Sequence, residues 1–276
     1  MRTPHTIKTS ICIVFLSLAS VVAHAQSGVQ KESVRAPENI KIDGKTPEWP
    51  NNKLQVYNAD NKMSYTVSND DQNLYLTLRT TYFYGSAKVI RGGVTFTVTH
   101  TTDKKARQKA TDYMSVTFPC VSNEAAGSII SSINDYQPMG RDTVRQQRAH
   151  DSLVRIVDAK TTAAIKEFKI SGFKDISDNT LSIYNTTGIK AMGTFNRAMA
   201  FVLEMAIPLK DLGLSVNDAT PFSYNIRLEV PDSFKLNEPM DMGAPTSVQQ
   251  AQAMEGFAYL RTPTDFWGEY TLAKKP

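Results

Sequence analysis

Aromatic residues are the side chains in this sequence best suited to hold a ligand. Tyr82, Phe83 and Tyr84 follow one another directly, and Trp267 lies near a predicted loop late in the chain. Three consecutive aromatic rings cannot all point into one core strand, so at least one is expected at the surface or in a cleft. A ring in such a place can stack on a flat face of a ligand. Tyr82, Tyr84 and Trp267 are therefore the predicted binding residues.

A short acidic stretch is the second place where chemistry is expected. Residues 69–73 (NDDQN) offer carboxylate and amide oxygens, which are the ligands that Ca²⁺ prefers. The spacing lacks the full calcium-loop signature, and the same residue types form ordinary tight turns. The sequence therefore predicts a turn here. Asp70 and Asp71 are the candidates for a metal site, which would be structural calcium, and no cofactor is predicted beyond it.

The sequence carries no motif typical of an enzyme. It has no HExxH zinc motif and no G-x-S-x-G elbow. A carboxylate pair for glycoside hydrolysis would come from distant strands, and no pair stands out. His100 ends a predicted strand, and His150 lies in a predicted helical region. The protein is therefore predicted to be non-catalytic and to work, at most, beside a separate glycoside hydrolase.

The first residues of the chain predict export. Arg2 and Lys8 precede an apolar run over residues 11–22, and residues 23–25 (AHA) form a small-x-small cleavage signal. The apolar run is too short to cross a membrane. Residues 1–25 are therefore predicted to be a secretory signal peptide cleaved near Ala25. The mature protein is expected to be periplasmic or extracellular, with no transmembrane segment.

Charge and cysteine content narrow the class of protein further. Without the leader, Lys plus Arg falls from 31 to 29 against 27 acidic residues, so the net charge falls from +4 to +2. A nucleic-acid binder would usually show a clustered basic face, and the sequence shows none. Cys120 is the one cysteine left, so no intramolecular disulfide can form. Stability must therefore come from a packed core.

Strands are the main elements that must position these residues. Residues 63–79 contain two alternating runs around the acidic turn, which predicts a β-hairpin. A hairpin cannot bury its own apolar face, so a covering sheet is needed. Longer strands are predicted at 94–99, 113–118, 198–207 and 221–230, and shorter ones at 40–44, 168–170, 182–184, 257–260 and 267–272.

Two regions depart from the strand pattern. Residues 26–38 are polar and are predicted to be a linker, and residues 123–166 carry helix formers. In that second region one helical face is predicted from Val144, Leu153, Ile156 and Val157. The sequence therefore predicts an all-β fold over residues 39–276. It would be a two-sheet antiparallel β-sandwich, jelly-roll-like, with a short helical insertion at about 123–166.

Three segments of the chain resemble a known family. Residues 40–49 (IKIDGKTPEW), 67–79 (VSNDDQNLYLTLR) and 203–214 (LEMAIPLKDLGL) occur in the order and at the spacing seen in the family 9 carbohydrate-binding module. The chain also resembles an exported bacterial branch without assigned function. The resemblance implies a β-sandwich whose cleft clamps a terminal saccharide between tryptophans, often with structural calcium. It also implies that Trp49 packs the core.

The wider superfamily of that module includes haem-binding sandwiches, which implies an alternative. Their haem is held by methionine with histidine or lysine, and methionine is also common core filler. The sequence has no C-x-x-C-H attachment motif. The candidate methionines are Met205 on a predicted central strand and Met240, Met242 and Met254 in a predicted late loop.

The leading prediction is a secreted, non-catalytic protein of polysaccharide catabolism. It would recognise a saccharide or polysaccharide by aromatic stacking on Tyr82, Tyr84 and Trp267. One alternative is an accessory sandwich that binds a protein partner and has no sugar site, and the other is a haem-binding electron carrier. Exposed aromatic rings along a groove would favour the first prediction, whereas a flat apolar patch would favour a protein partner.

Overall fold

A computed structural model gives the fold of residues 28–134, 143–218, 220–234 and 244–275. Within these ranges the chain forms two antiparallel sheets with helices between strands. The predicted β-sandwich with a helical insertion is confirmed. The predicted signal peptide, residues 1–25, lies outside the described part of the chain.

The described residues supply five strands to sheet A and six to sheet B. Sheet A has the order β1-β2-β3-β9-β8, from strands β1 (Val56–Asn58), β2 (Met63–Asn69), β3 (Asn73–Thr80), β8 (Lys190–Phe195) and β9 (Phe201–Pro208). Sheet B has the order β11-β10-β4-β5-β6-β7, from strands β4 (Val94–Thr99), β5 (Met114–Phe118), β6 (Glu167–Ser171), β7 (Thr180–Ser182), β10 (Phe222–Leu228) and β11 (Thr264–Tyr270).

Helices connect several of these strands. The described ranges contain α1 (Phe83–Gly92), α2 (Lys104–Arg107), α3 (Asn123–Asn134), α4 (Thr143–Ala164) and α5 (Val248–Arg261), with short 3₁₀ turns at Pro50–Asn52, Leu209–Leu212 and Asp232–Phe234. Helix α1 packs against α5, α3 against α4, and α4 against strand β8. None of the helices in these ranges is both long and apolar enough to span a membrane.

The predicted hairpin over residues 63–79 is formed by strands β2 and β3. Val67 lies opposite Leu76 across this pair, and both side chains are buried. Sheet B brings Phe96 and Ile226 into the same core. Burying a side chain of this size contributes about 1.5–3 kcal/mol. The inner faces of the two sheets therefore stabilise each other, as the alternating pattern predicts.

The predicted insertion consists of α3 and α4, and residues 135–142 between them lie outside the described part. Leu153 and Val157 face the core as predicted. Val144 and Ile156 do not, since they are 59% and 48% exposed. The buried stripe of α4 is narrower than predicted because its main contacts are with α3 and β8.

The strand predicted at residues 257–260 is wrong. These residues belong to helix α5, whose first turn is capped by the Ser247 hydroxyl accepting from the Gln250 N–H. The helix buries Tyr259 and Leu260. A run of four mostly apolar residues fits a strand and a helical turn equally well. The alanine and glutamine residues before it favour the helix.

The chain before the hairpin also differs from its prediction. Residues 40–44 form no strand, and the chain bends at Asp43 and Gly44 instead. Residues 28–36 of the predicted linker pack along the sandwich. The Gln30 side chain donates to the Val67 carbonyl at 2.8 Å and accepts from the Val67 N–H at 2.9 Å. The Gln30 side chain therefore pairs with the backbone of strand β2 in the way that a neighbouring strand would.

Candidate functional site

Two of the predicted binding residues, Tyr82 and Tyr84, lie where helices α1 and α5 meet. The ring centroids of Tyr82 and Tyr84 are 5.6 Å apart, and that of Tyr259 on α5 is 5.5 Å from Tyr82. A Cβ added at Gly256 would lie 2.2 Å from the Tyr84 ring, so the backbone of α5 rests directly on it. Both tyrosines are partly buried. Their contacts are those of helix packing.

The third predicted residue, Trp267, lies elsewhere, on strand β11 at the edge of sheet B. Its neighbour Phe266 points inward, with its ring 5.0 Å from that of Tyr65, so Trp267 points to the outer face. The Arg107 guanidinium lies 4.6 Å from the Trp267 ring centroid, and the Tyr113 ring lies 6.2 Å away. Among the described ring contacts none joins Trp267 to Tyr82 or Tyr84. The structure therefore does not bring the three predicted residues together.

A groove on the outer face of sheet A is a well-formed concave site among the described residues. Its cavity volume is about 880 Å³. The floor includes one row across three strands, because Ala206 on β9 pairs with both Tyr75 on β3 and Lys190 on β8. Ala206 is the smallest of the three side chains and lies between the other two. The row is therefore lowest at its centre.

Two chain segments form the walls of this groove. One is the irregular segment of residues 40–42, and the other is the connection after β9, residues 209–216. The Leu209 N–H donates to the Gln72 carbonyl at 2.8 Å, which fixes this connection against the β2–β3 turn. The apolar side chains of the two walls are Ile40, Ile42, Leu209, Leu214 and Val216.

Glu204 holds the first wall in place. Its Oε2 accepts the backbone N–H groups of Asp43 at 3.1 Å and Gly44 at 3.0 Å. The Thr194 hydroxyl donates to the Gly44 carbonyl at 2.8 Å. These contacts lay the chain over the row next to Ala206. The Ala206 row lies outside this segment and lines the floor of the groove, with Ala206 4% and Tyr75 5% exposed.

Burial of Glu204 has an electrostatic cost. The side chain is 0% exposed, and burial raises its pKa to about 8 despite the two N–H donors, with Asp43 and Glu48 adding to the rise. Its Oε1 has no hydrogen-bond partner among the described residues. A carboxyl with this pKa is largely protonated at neutral pH, which removes the penalty of a buried charge.

The acidic turn lies at one end of the groove. Asp70 Oδ1 accepts from the N–H groups of Gln72 and Asn73, both at 2.7 Å, and Oδ2 accepts the Tyr75 hydroxyl at 2.6 Å. Partial burial acts to raise the pKa of Asp70, but these hydrogen-bond donors outweigh it and lower the pKa. The predicted turn is confirmed. It also fixes Tyr75 in the floor of the groove.

The metal candidates make the contacts of that turn. Asp71 Oδ1 lies 2.7 Å from the Arg35 guanidinium, so both candidate carboxylates already face hydrogen-bond donors. Within the described ranges no group of three or more His, Cys, Asp or Glu residues is close enough to hold a metal ion. Structural calcium at Asp70 and Asp71 stays a prediction.

The alternative haem ligands are placed as follows. Met205 is 0% exposed and packs in the core on the inner face of sheet A. Met254 lies on helix α5, in the part of it, residues 248–255, that falls in the predicted late loop. Met240 and Met242 lie outside the described residues.

No family model, curated protein or solved structure matches this chain. The resemblance to the family 9 module rests on residues 40–49, 67–79 and 203–214. Parts of all three segments meet at the groove, through Ile40, Tyr75 and Ala206. Tyr75 occupies an outward position of an alternating strand, which the sequence could have singled out. Its row partners depend on strand pairing, which the sequence does not show.

Proposed function

We propose that the protein is an exported, non-catalytic carbohydrate-binding protein that holds a saccharide in the groove on sheet A. The groove itself carries this proposal. Its volume of about 880 Å³ lies in the range of small-ligand sites, about 300–1,000 Å³. A groove of this kind also favours a small ligand over the flat apolar patch expected for a protein partner.

The lining of the groove suits a sugar ring. Saccharides present apolar C–H faces and polar hydroxyl edges. The groove offers its half-exposed apolar wall residues, Ile40, Ile42, Leu214 and Val216, for the faces, and Gln72 and Asn73 for the edges, above a floor in which Tyr75 is 5% exposed. Tyr75 is held by Asp70 before any ligand arrives, which lowers the entropic cost of binding. The proposal keeps the predicted ligand class and moves the site away from Tyr82, Tyr84 and Trp267.

Filling the groove tests this function. The mature chain would be titrated with soluble oligosaccharides and mixed with insoluble polysaccharides, as wild type and as Ala206→Phe. Because the larger side chain occupies the lowest point of the floor, we expect binding to weaken by at least about tenfold. Thr97→Phe is the matched control, since it adds the same ring to the outer face of sheet B.

The outcomes separate the two candidate sites. Loss of binding in Ala206→Phe, with Thr97→Phe like wild type, supports the groove. Loss in Trp267→Ala or Thr97→Phe, with Ala206→Phe unaffected, moves the site to the outer face of sheet B. If the folded wild-type chain binds no glycan, the proposed function is wrong.

A further inference from the structure

We propose that the groove selects an anionic saccharide, one that carries carboxylate or sulfate groups, and that Lys41, Lys190 and Lys210 bind those groups. This inference rests on the function proposed above. It begins from the charge of the groove lining, which contains these three lysines and one acidic residue, Asp71.

The three lysines reach the groove from separate parts of the chain. Lys41 lies in the segment that forms the first wall, Lys190 begins strand β8, and Lys210 lies in the 3₁₀ turn after β9. All three residues are exposed. The fold therefore places cations on the floor and on both walls of a single cavity.

These cations have little compensation from the protein. The lone acidic side chain of the lining, Asp71, is already paired with Arg35 at 2.7 Å. Lys210 makes a long contact of 3.8 Å with Asp211 and keeps 80% of its side chain exposed. In the described ranges neither Lys41 nor Lys190 takes part in an ion pair.

An exposed lysine alone needs no explanation, because water solvates it well. Three lysines around one concave site differ, since they raise the local potential and attract an anion to that site. A neutral sugar could accept hydrogen bonds from these ammonium groups but would gain no attraction between net charges. A chain of uronic acid or sulfated sugar units would supply charges along the groove, complementary to cations on the floor and both walls. The lysines thus define the class of saccharide that the groove fits.

Matched ligands with and without charge test the inference. The mature chain would be titrated with trigalacturonate and trimannuronate, with the methyl ester of each, and with a sulfated galactose oligosaccharide. Titrations at roughly 0.02 M and 0.5 M salt show the effect of screening. We expect at least one anionic probe to bind about tenfold or more tighter than the neutral esters at low salt. This preference should shrink at high salt.

Replacement of the lysines assigns the preference to them. Each exposed ion pair is worth about two- to fivefold in affinity, so the triple variant Lys41→Gln, Lys190→Gln, Lys210→Gln should lose the preference. Its affinity for the neutral esters should fall much less than its affinity for the anionic probes. The control triple Lys104→Gln, Lys105→Gln, Lys109→Gln removes the same charge from the β4–β5 loop and should keep the preference.

Each result decides one point. Tighter binding of the uronates assigns carboxylate recognition, and tighter binding of the sulfated probe assigns sulfate recognition. Equal affinity for charged and neutral probes overturns the anionic preference, as does an equal loss in both triple variants. Binding of neutral glycans alone that is sensitive to Ala206→Phe overturns it too, while the proposed function stands. If no probe and no other glycan binds, both proposals are wrong.

Discussion

The two outer faces of the sandwich differ in what lies over them. On sheet A, residues 43–44 are held over Glu204 and Thr194, and the neighbouring row of Tyr75 and Ala206 lies outside this segment and forms the floor of the groove. Residues 43–44, the cover of sheet A, lie over only part of the sheet, so the surface is higher there than over the row of Tyr75 and Ala206. This difference in height, together with the connection after β9, forms the groove.

On sheet B the polar side chains bond to one another. Thr95 and Thr117 share a hydrogen bond of 2.8 Å, and the Asn225 amide donates to Asp265 at 2.9 Å. Trp267, the aromatic residue of this face, has the Arg107 guanidinium over its ring. Aromatic content therefore points to sheet B through Trp267, whereas the groove lies on sheet A. Sheet A differs because a chain segment lies over one row, that of Glu204, beside a row whose central residue, Ala206, is small.

The largest expected effect is on stability and comes from Glu204, the carboxyl that holds residues 43–44 over sheet A. The folded pKa of Glu204, about 8, lies above its ordinary value of 4.5, so the folded state holds a proton that the unfolded state has lost. The free energy of unfolding should therefore fall as pH rises from about 4.5 to about 8. The contribution of one such group approaches about 1.4 kcal/mol per pH unit. Urea unfolding at a series of pH values measures this slope.

Two variants show whether Glu204 causes this change of the free energy of unfolding with pH. Glu204→Gln keeps an oxygen for the N–H groups of Asp43 and Gly44 and removes the titration, so its stability should depend less on pH than that of wild type. Glu269→Gln makes the same change at an exposed position of sheet B and should keep the wild-type slope. Equal slopes in all three proteins would show that Glu204 is ionised in the fold.

The sequence predicts single strands and turns better than it predicts the groove. Residues 94–99 alternate strictly, so strand β4 is predicted to the residue, and the turn at Asp70 follows from its residue types. Strand β8 was not predicted, because residues 190–195 (KAMGTF) alternate weakly. The row of Tyr75, Ala206 and Lys190 depends on pairing between strands distant in sequence. Local patterns give the faces of strands and leave their neighbours open.

A smaller effect on stability is expected from a substitution at Gly44, where the segment over sheet A bends. Gly44 has φ +78°, and a Cβ there would lie 2.8 Å from Thr194 Cγ2. Gly44→Ala should therefore destabilise the fold by about 1–3 kcal/mol and, by displacing the wall, weaken saccharide binding. Urea unfolding and titration with the best glycan measure the two effects.

Gly127→Ala is the control for that substitution. It lies in helix α3, and a Cβ there would meet no atom closer than Arg91 Nη2 at 4.0 Å. Alanine is favoured over glycine in a helix by about 1 kcal/mol, so this variant should be as stable as wild type or more so. A Gly44→Ala protein that matches Gly127→Ala in stability and binding would show that the bend tolerates a side chain.

The smallest effect is expected on sheet B, where Arg107 covers Trp267. A cation–π contact at a partly exposed site contributes about 0.5–1 kcal/mol. Arg107 also donates to the Ser223 hydroxyl at 3.0 Å. Arg107→Gln should therefore cost about 1–2 kcal/mol and should leave binding in the groove unchanged. Trp49 is buried, at 4% exposure, so added quenching of tryptophan fluorescence by acrylamide, a neutral quencher, reports on Trp267. We expect quenching to rise in Arg107→Gln and to stay constant in Arg227→Gln, an exposed arginine of the neighbouring strand β10. If quenching rises and saccharide binding also changes, the ligand reaches sheet B, and the two faces share the function assigned to sheet A alone.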